Sequence, residues 1–313
     1  MIEIQELCKY YGQSRAVGPL STSIEKGEVV GLLGLNGAGK TTTQRILACD
    51  LLPSSGTVKV AGIDVVEHPE EVRRRIGYLP DVPPLYDEMR VGEYLQFALE
   101  LRGKPASEGR QRVPAVAERL GLSQVLREPL FSLSHGFRQR VGIAQAVVHD
   151  PELVVLDEPI SGLDPVQIVE MRNLIHDLKQ NHTVLISSHI LTEISQTCDR
   201  LLVLGEGELK GAGTEAELSS QFGEIQQISV TVRGGEREAI AKLLAGIEGV
   251  QSVTDPFEQG GGITFTLATK KDCRADVSRA VVNAQLDLLK LDHSRSELES
   301  TFIRLVGGTD ASN

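Results

Sequence analysis

Apolar and polar positions along the chain change their period several times, and each change predicts an element. Ile2, Ile4 and Leu7 alternate with polar residues, and after the turn at Gly12 so do Leu20 and Ile24, which predicts an antiparallel strand pair. Short apolar runs follow at 29–33, 76–79, 153–156 and 183–186, of the kind that builds a strand buried on both faces. Helical spacing lies between them. Thr41 to Cys49 reads as a helix, as do the segment from Val91 (Tyr94, Leu95, Ala98 and Leu101 on one face), Ser107 to Leu120, and Gln139 to Val148. Asp164 before Pro165 predicts an N-cap and first helical residue, followed by Ile168, Met171, Ile175 and Leu178 at helical spacing. The pattern predicts a mostly parallel α/β sheet interrupted by a helical insertion.

Beyond Phe222 the pattern is different. Ile228, Val230 and Val232 alternate, Ala239 to Ile247 carries a helical face, and Val250 to Thr254 reads as a strand. Ile263, Phe265 and Leu267 alternate again, Val277 to Ala284 is helical, and Leu286 to Leu291 closes with a strand. The order β-α-β-β-α-β predicts a small α+β, ferredoxin-like domain, an arrangement that fixes no activity. Gly260-Gly261-Gly262 reads as a hairpin turn because no Lys-Ser or Lys-Thr follows it, and Ser296 to Leu305 reads as a last helix.

Composition narrows the class. With 313 residues, 41% hydrophobic and 24% charged, the chain fits two soluble domains. No apolar run nears the roughly 20 residues needed to span a bilayer, and the start does not resemble a secretion signal, so a cytoplasmic location is expected. A net charge of −11 disfavours direct binding to nucleic acid. Four cysteines without C-x-x-C spacing point to reduced packing residues rather than to zinc or disulfides.

Chemistry concentrates at the loops that end the apolar runs. Gly34 to Thr42 (GLNGAGKTT) has the G-x-x-x-x-G-K-[ST] spacing of a phosphate cradle, lying between a strand and a helix. In it Gly34, Asn36, Gly37, Ala38 and Gly39 supply the wrapping backbone, Lys40 the charge for terminal phosphates, Thr41 a hydroxyl for Mg2+, and Thr42 the next turn of the helix. Asp157 and Glu158 end a buried strand, where one carboxylate can hold Mg2+ through water and the next can polarise an attacking water. His189 ends another strand and can bond a γ-phosphate or that water, Asp81 ends a third near the expected metal, and Tyr11 at the hairpin tip can stack on an adenine.

In their order, Tyr11, GLNGAGKTT, LSHGFRQR (Leu133 to Arg140), ELVVLDEP (Glu152 to Pro159), SGLDP and His189 resemble the ATP-binding subunits of ABC transporters over residues 1 to about 222. The resemblance implies an ABC ATPase fold for 1–222 with a helical subdomain at about 85–150, and leaves 223–313 as an accessory domain. It implies ATP and Mg2+ as cofactors, with Thr41, Asp81 and Asp157 toward the metal and Glu158 and His189 as catalytic residues. It also implies a head-to-tail pair, with itself or with a related subunit, in which Ser134 and Gly136 of one chain face ATP on the other. A separate transmembrane permease would be the partner, holding the chain at the cytoplasmic face of the membrane. Three residues depart from the family pattern, Phe137 among them at the signature's usual glutamine position. Asp81 stands where glutamine is usual, and His135 replaces a glycine, where an imidazole can add a donor beside phosphate. IGYLPD and LSHGF resemble exporter ATPases in particular. A soluble ABC ATPase acting away from membranes would share the site, but it usually carries a coiled-coil insertion or a second cassette, neither of which is read here. A sensor without turnover would not need Glu158.

Overall fold

The computed structural model describes residues 1–222, 226–254, 256–259, 261–269 and 271–293. The chain opens with β1 (Ile2–Tyr11) and β2 (Ser14–Ile24), paired antiparallel with Ile2 opposite Ile24. The buried strand β3 (Val29–Leu33) leads through the glycine loop into α1 (Lys40–Leu47). β4 (Ser55–Val60) pairs with β1 and the short β5 (Ile63–Asp64) with β4, and α2 (Pro69–Arg75) leads into β6 (Ile76–Leu79). Three helices follow, α3 (Val91–Leu101), α4 (Ala106–Arg119) and α5 (His135–Val147). The chain then passes through β7 (Leu153–Leu156), α6 (Pro165–Leu178), β8 (Thr183–Ser188), α7 (Leu191–Ser195), β9 (Arg200–Gly205), β10 (Glu208–Gly213) and α8 (Glu215–Phe222).

Two sheets result. One has the order β10-β9-β3-β8-β7-β6, parallel except for β10, and the other is the antiparallel β2-β1-β4-β5. Ile2, Leu7 and Leu20 of the antiparallel sheet join Val30, Leu32, Val155 and Leu185 of the parallel one and Ile46 of α1 in a single core. In the parallel sheet β8 lies between β3 and β7, so the phosphate-type loop and the acidic strand end flank the strand that delivers His189. Ligands of such sheets bind beyond the carboxyl ends of the strands, where all these loops emerge.

Asp164 caps α6 as expected, its carboxylate accepting from the N–H groups of Val166 and Gln167 at 3.0 and 2.9 Å. Two expectations need correction. On α3, Leu101 is 68% exposed and fully buried Leu99 takes its place in the core, because Leu99 lies one turn beyond Leu95 on the buried stripe, while Leu101, on the side of Tyr94 and Ala98, is the last residue of the helix. α5 starts at His135 rather than at Gln139, because Ser134 caps it by accepting from the Phe137 N–H at 3.4 Å.

Contacts divide the chain into Met1–Glu215 and Ala216–Asn313. The second unit contains β11 (Gln226–Arg233), α9 (Arg237–Ala245), β12 (Val250–Val253), β13 (Phe257–Gln259), β14 (Gly262–Thr269), α10 (Arg274–Asn283) and β15 (Asp287–His293). Its sheet order is β12-β14-β11-β15, with every pair antiparallel, as in the split β-α-β arrangement. Val230, Phe265, Ile240 and Val277 lie in its core. Gln259 pairs with Gly262 across a hairpin, while Gly260 within it and the expected helix at 296–305 lie outside the described residues.

One buried group makes the first unit sensitive to acid. His149, just past α5, is 1% exposed; its Nε2 donates to the Ile76 carbonyl at 3.1 Å, and its Nδ1 is buried without a partner. Burial, with Arg102 nearby, pushes its pKa from 6.5 down to about 4. Between those values the unfolded chain takes up a proton that the folded chain refuses, so stability is present above pH 6.5 and falls as pH drops toward 4. The expected loss is about 3 kcal/mol over that interval. Denaturant midpoints followed against pH check it, and His149→Gln should flatten the slope there.

Candidate functional site

The glycine loop is tight because neighbouring chain presses on it. A side chain at Gly34 would meet the Ala38 Cβ and the Leu204 carbonyl at 2.8 Å. At Gly39, φ is 96° and a Cβ would lie 2.7 Å from the Ala16 carbonyl. Asn36 and Gly37 are exposed at the tip, whereas Ala38 and Gly39 are buried and Thr42 half-buried. Lys40 is buried; its Nζ donates to the carbonyls of Gly34 at 2.8 Å and Leu35 at 3.4 Å, and lies 3.5 Å from Glu158 Oε1. One turn on, Gln44 fixes α1 to the acidic strand by donating to the Leu156 carbonyl at 3.1 Å.

The acidic end is organised by Ser187, a residue the sequence pattern does not single out. Its hydroxyl donates to Asp157 Oδ1 at 2.6 Å and accepts from the Glu158 N–H at 3.0 Å, so one serine of β8 holds the Asp157 carboxylate and the backbone of Glu158. Asp157 is fully buried and its Oδ2 makes no hydrogen bond. Burial pushes its pKa up, while the hydroxyls of Ser187 and Thr41 pull it back. Glu158 adopts φ 49°, a left-handed conformation uncommon for glutamate, and its Oε2 lies 3.0 Å from His189 Nδ1. Asp81 is reached because β6 pairs with β7, the Asp157 N–H donating to the Leu79 carbonyl at 2.8 Å. Asp81, Thr41, Asp157, Tyr78 and Arg45 line one cleft of about 480 Å³.

Lys40, Thr41, Asp81, Asp157, Glu158 and His189 are thus gathered at one edge of the sheet. Tyr11 and the start of α5 are held by other partners. Tyr11 is about half exposed at the first hairpin, with Lys9 Nζ 5.5 Å from its ring centroid. Ser134 caps α5, a side chain at Gly136 would meet the Gln167 amide at 2.8 Å, and His135 Nε2 lies 3.2 Å from the Ser161 carbonyl.

The ABC transporter family profile matches residues 17–161. An uncharacterised ABC transporter ATP-binding protein of Synechocystis sp. is 35% identical over 97% of this chain and 84% of its own length. The bacitracin transport ATP-binding protein BcrA of Enterococcus faecalis is 33% identical over 98% and 97%. Among solved structures, a dimeric bacterial ABC transporter cassette is 25% identical, with a TM-score of 0.63, covering 68% of this chain and 98% of that one. The chain belongs to the ATP-binding subunits of ABC transporters. It is an ATPase of that family, and among the described residues no helix is long and apolar enough to cross a membrane.

Proposed function

We propose that the chain binds ATP with Mg2+ at Gly34–Thr42, hydrolyses it in a head-to-tail dimer, and so energises export by a separate transmembrane permease at the cytoplasmic face of the membrane. The observation that carries this reading is the meeting of Lys40, Glu158 and His189 within 3.5 Å at the carboxyl ends of three parallel strands. Lys40 is shared among two carbonyls and Glu158, and the terminal phosphates, with more charge, outcompete the carbonyls for it. Glu158 then takes the proton of the attacking water, with His189 orienting the carboxylate or the phosphate.

The residues fit Mg2+. Asp157 offers a buried carboxylate oxygen without a hydrogen bond, Thr41 a hydroxyl, and Asp81 a second carboxylate in the same cleft, a hard oxygen set of the kind this ion shares with phosphates. When bound, the ion supplies positive charge that screens the phosphate oxygens. Asp81 in place of an amide can only accept, so it suits the ion's water shell.

Ser134 and Gly136 open a 13-residue helix with N–H groups suited to an anion, and their own contacts lie with Phe137 and Gln167, away from the glycine loop. They are therefore assigned to ATP held by the other chain, and Tyr11 to the adenine. The bacitracin transport relative, matched nearly end to end, supports export. Mixing tests the composite site. Lys40→Ala loses the loop and Ser134→Arg blocks the helix start, so neither hydrolyses ATP alone. A mixture forms dimers with one intact site and should recover turnover. A mixture as inert as its components counts against a site built from two chains.

A further inference from the structure

His135 is the departure from family pattern that lies nearest the expected phosphate, yet its ring is engaged within its own chain. Nε2 lies 3.2 Å from the Ser161 carbonyl, and because a carbonyl only accepts, Nε2 carries the proton and donates. The ring lies against Gly162, where an added Cβ would fall 3.2 Å from Nε2; Gly162, with φ 73°, has no such atom and leaves room for it. The Ser161 N–H in turn donates to the Glu158 carbonyl at 3.1 Å. Glu158 is held in the left-handed region, a conformation that persists only where its surroundings fix it. On the β8 side it is fixed by Ser187, and on the α5 side the contact to its turn comes from His135.

We propose that His135 is a positioning residue for hydrolysis: its Nε2–H anchors the Glu158–Ser161 turn to the start of α5, and so holds the Glu158 carboxylate where it can reach water. The proposal rests on Glu158 being the group that polarises that water. Because His135 touches neither the glycine loop nor Lys40, its contribution belongs in kcat and not in nucleotide affinity.

The experiment compares His135→Ala, His135→Gln and His135→Asn in the full chain. The glutamine amide nitrogen reaches the position of Nε2, and that of asparagine reaches only the position of Nδ1. His135→Ala should lower kcat about tenfold with KM for ATP held within about twofold, the size of one lost hydrogen bond to a reacting group's support. His135→Gln should recover most of the rate and His135→Asn should not. In the parent protein, imidazole ¹⁵N NMR should report the proton on Nε2, a readout independent of turnover. Equal rates for the glutamine and asparagine variants, a raised KM with unchanged kcat, or a proton on Nδ1 would each overturn the proposal. If Glu158→Gln keeps full turnover, the assignment of Glu158 has failed instead, and the two failures are told apart by that control.

Discussion

Glu158→Gln should lower ATP turnover by roughly 10²- to 10⁴-fold, the range for removing a general base, while the chain still binds ATP. The amide keeps the volume and a hydrogen bond toward His189, now 3.0 Å from Oε2, but it cannot take a proton. The backbone should tolerate the exchange, because the Ser187 hydroxyl holds the main-chain N–H of residue 158 and not its side chain. Lys40 loses a partner at 3.5 Å yet retains the Gly34 and Leu35 carbonyls, so the glycine loop keeps its form. Steady-state hydrolysis, together with equilibrium binding of a fluorescent ATP analogue, checks both halves. Parent-like turnover would move the base to another residue.

Lys40→Ala should remove ATP binding at concentrations that saturate the parent. The ammonium is the cation that the glycine loop itself supplies, and charge-assisted bonds to phosphate are about twice as strong as neutral ones. The remaining backbone N–H groups and the N-terminus of α1 attract an anion, but they do not replace a full charge in a buried position. Tyr11→Ala should weaken binding less, because it removes stacking from a ring about half exposed. Calorimetric titration of both variants with ATP and Mg2+ gives the ranking, and full affinity in Lys40→Ala would refute the phosphate assignment.

The parallel sheet could be read from the sequence because its strands are short apolar runs ended by chemistry. Residues 29–33, 153–156 and 183–188 are buried throughout, and Gly34, Asp157 and His189 follow them directly. The other elements left weaker signals. α7 has five residues and α2 seven, too few for helical periodicity to stand out. β9 is as apolar as the other strands but carries no motif, and β10 pairs with it as an edge of partly buried residues. Within the site, spacing revealed the groups that bear charge and missed the group that sets them. Ser187 is an ordinary strand serine until the register of β7 and β8 places its hydroxyl between Asp157 and Glu158. The left-handed turn at Glu158 and the tie from His135 to Ser161 are likewise tertiary, since each depends on a contact between residues separated by more than twenty positions.

In the proposed function, ATP joins two copies of this cassette around their phosphates and hydrolysis releases them. The most direct test is the mass in solution of Glu158→Gln, measured by light scattering with ATP and Mg2+. Bound ATP that is not consumed should hold the chains together, giving twice the 33.9 kDa of a single chain, and removal of the nucleotide should return them to single chains. ATP-saturated protein that stays at the mass of one chain would contradict the account.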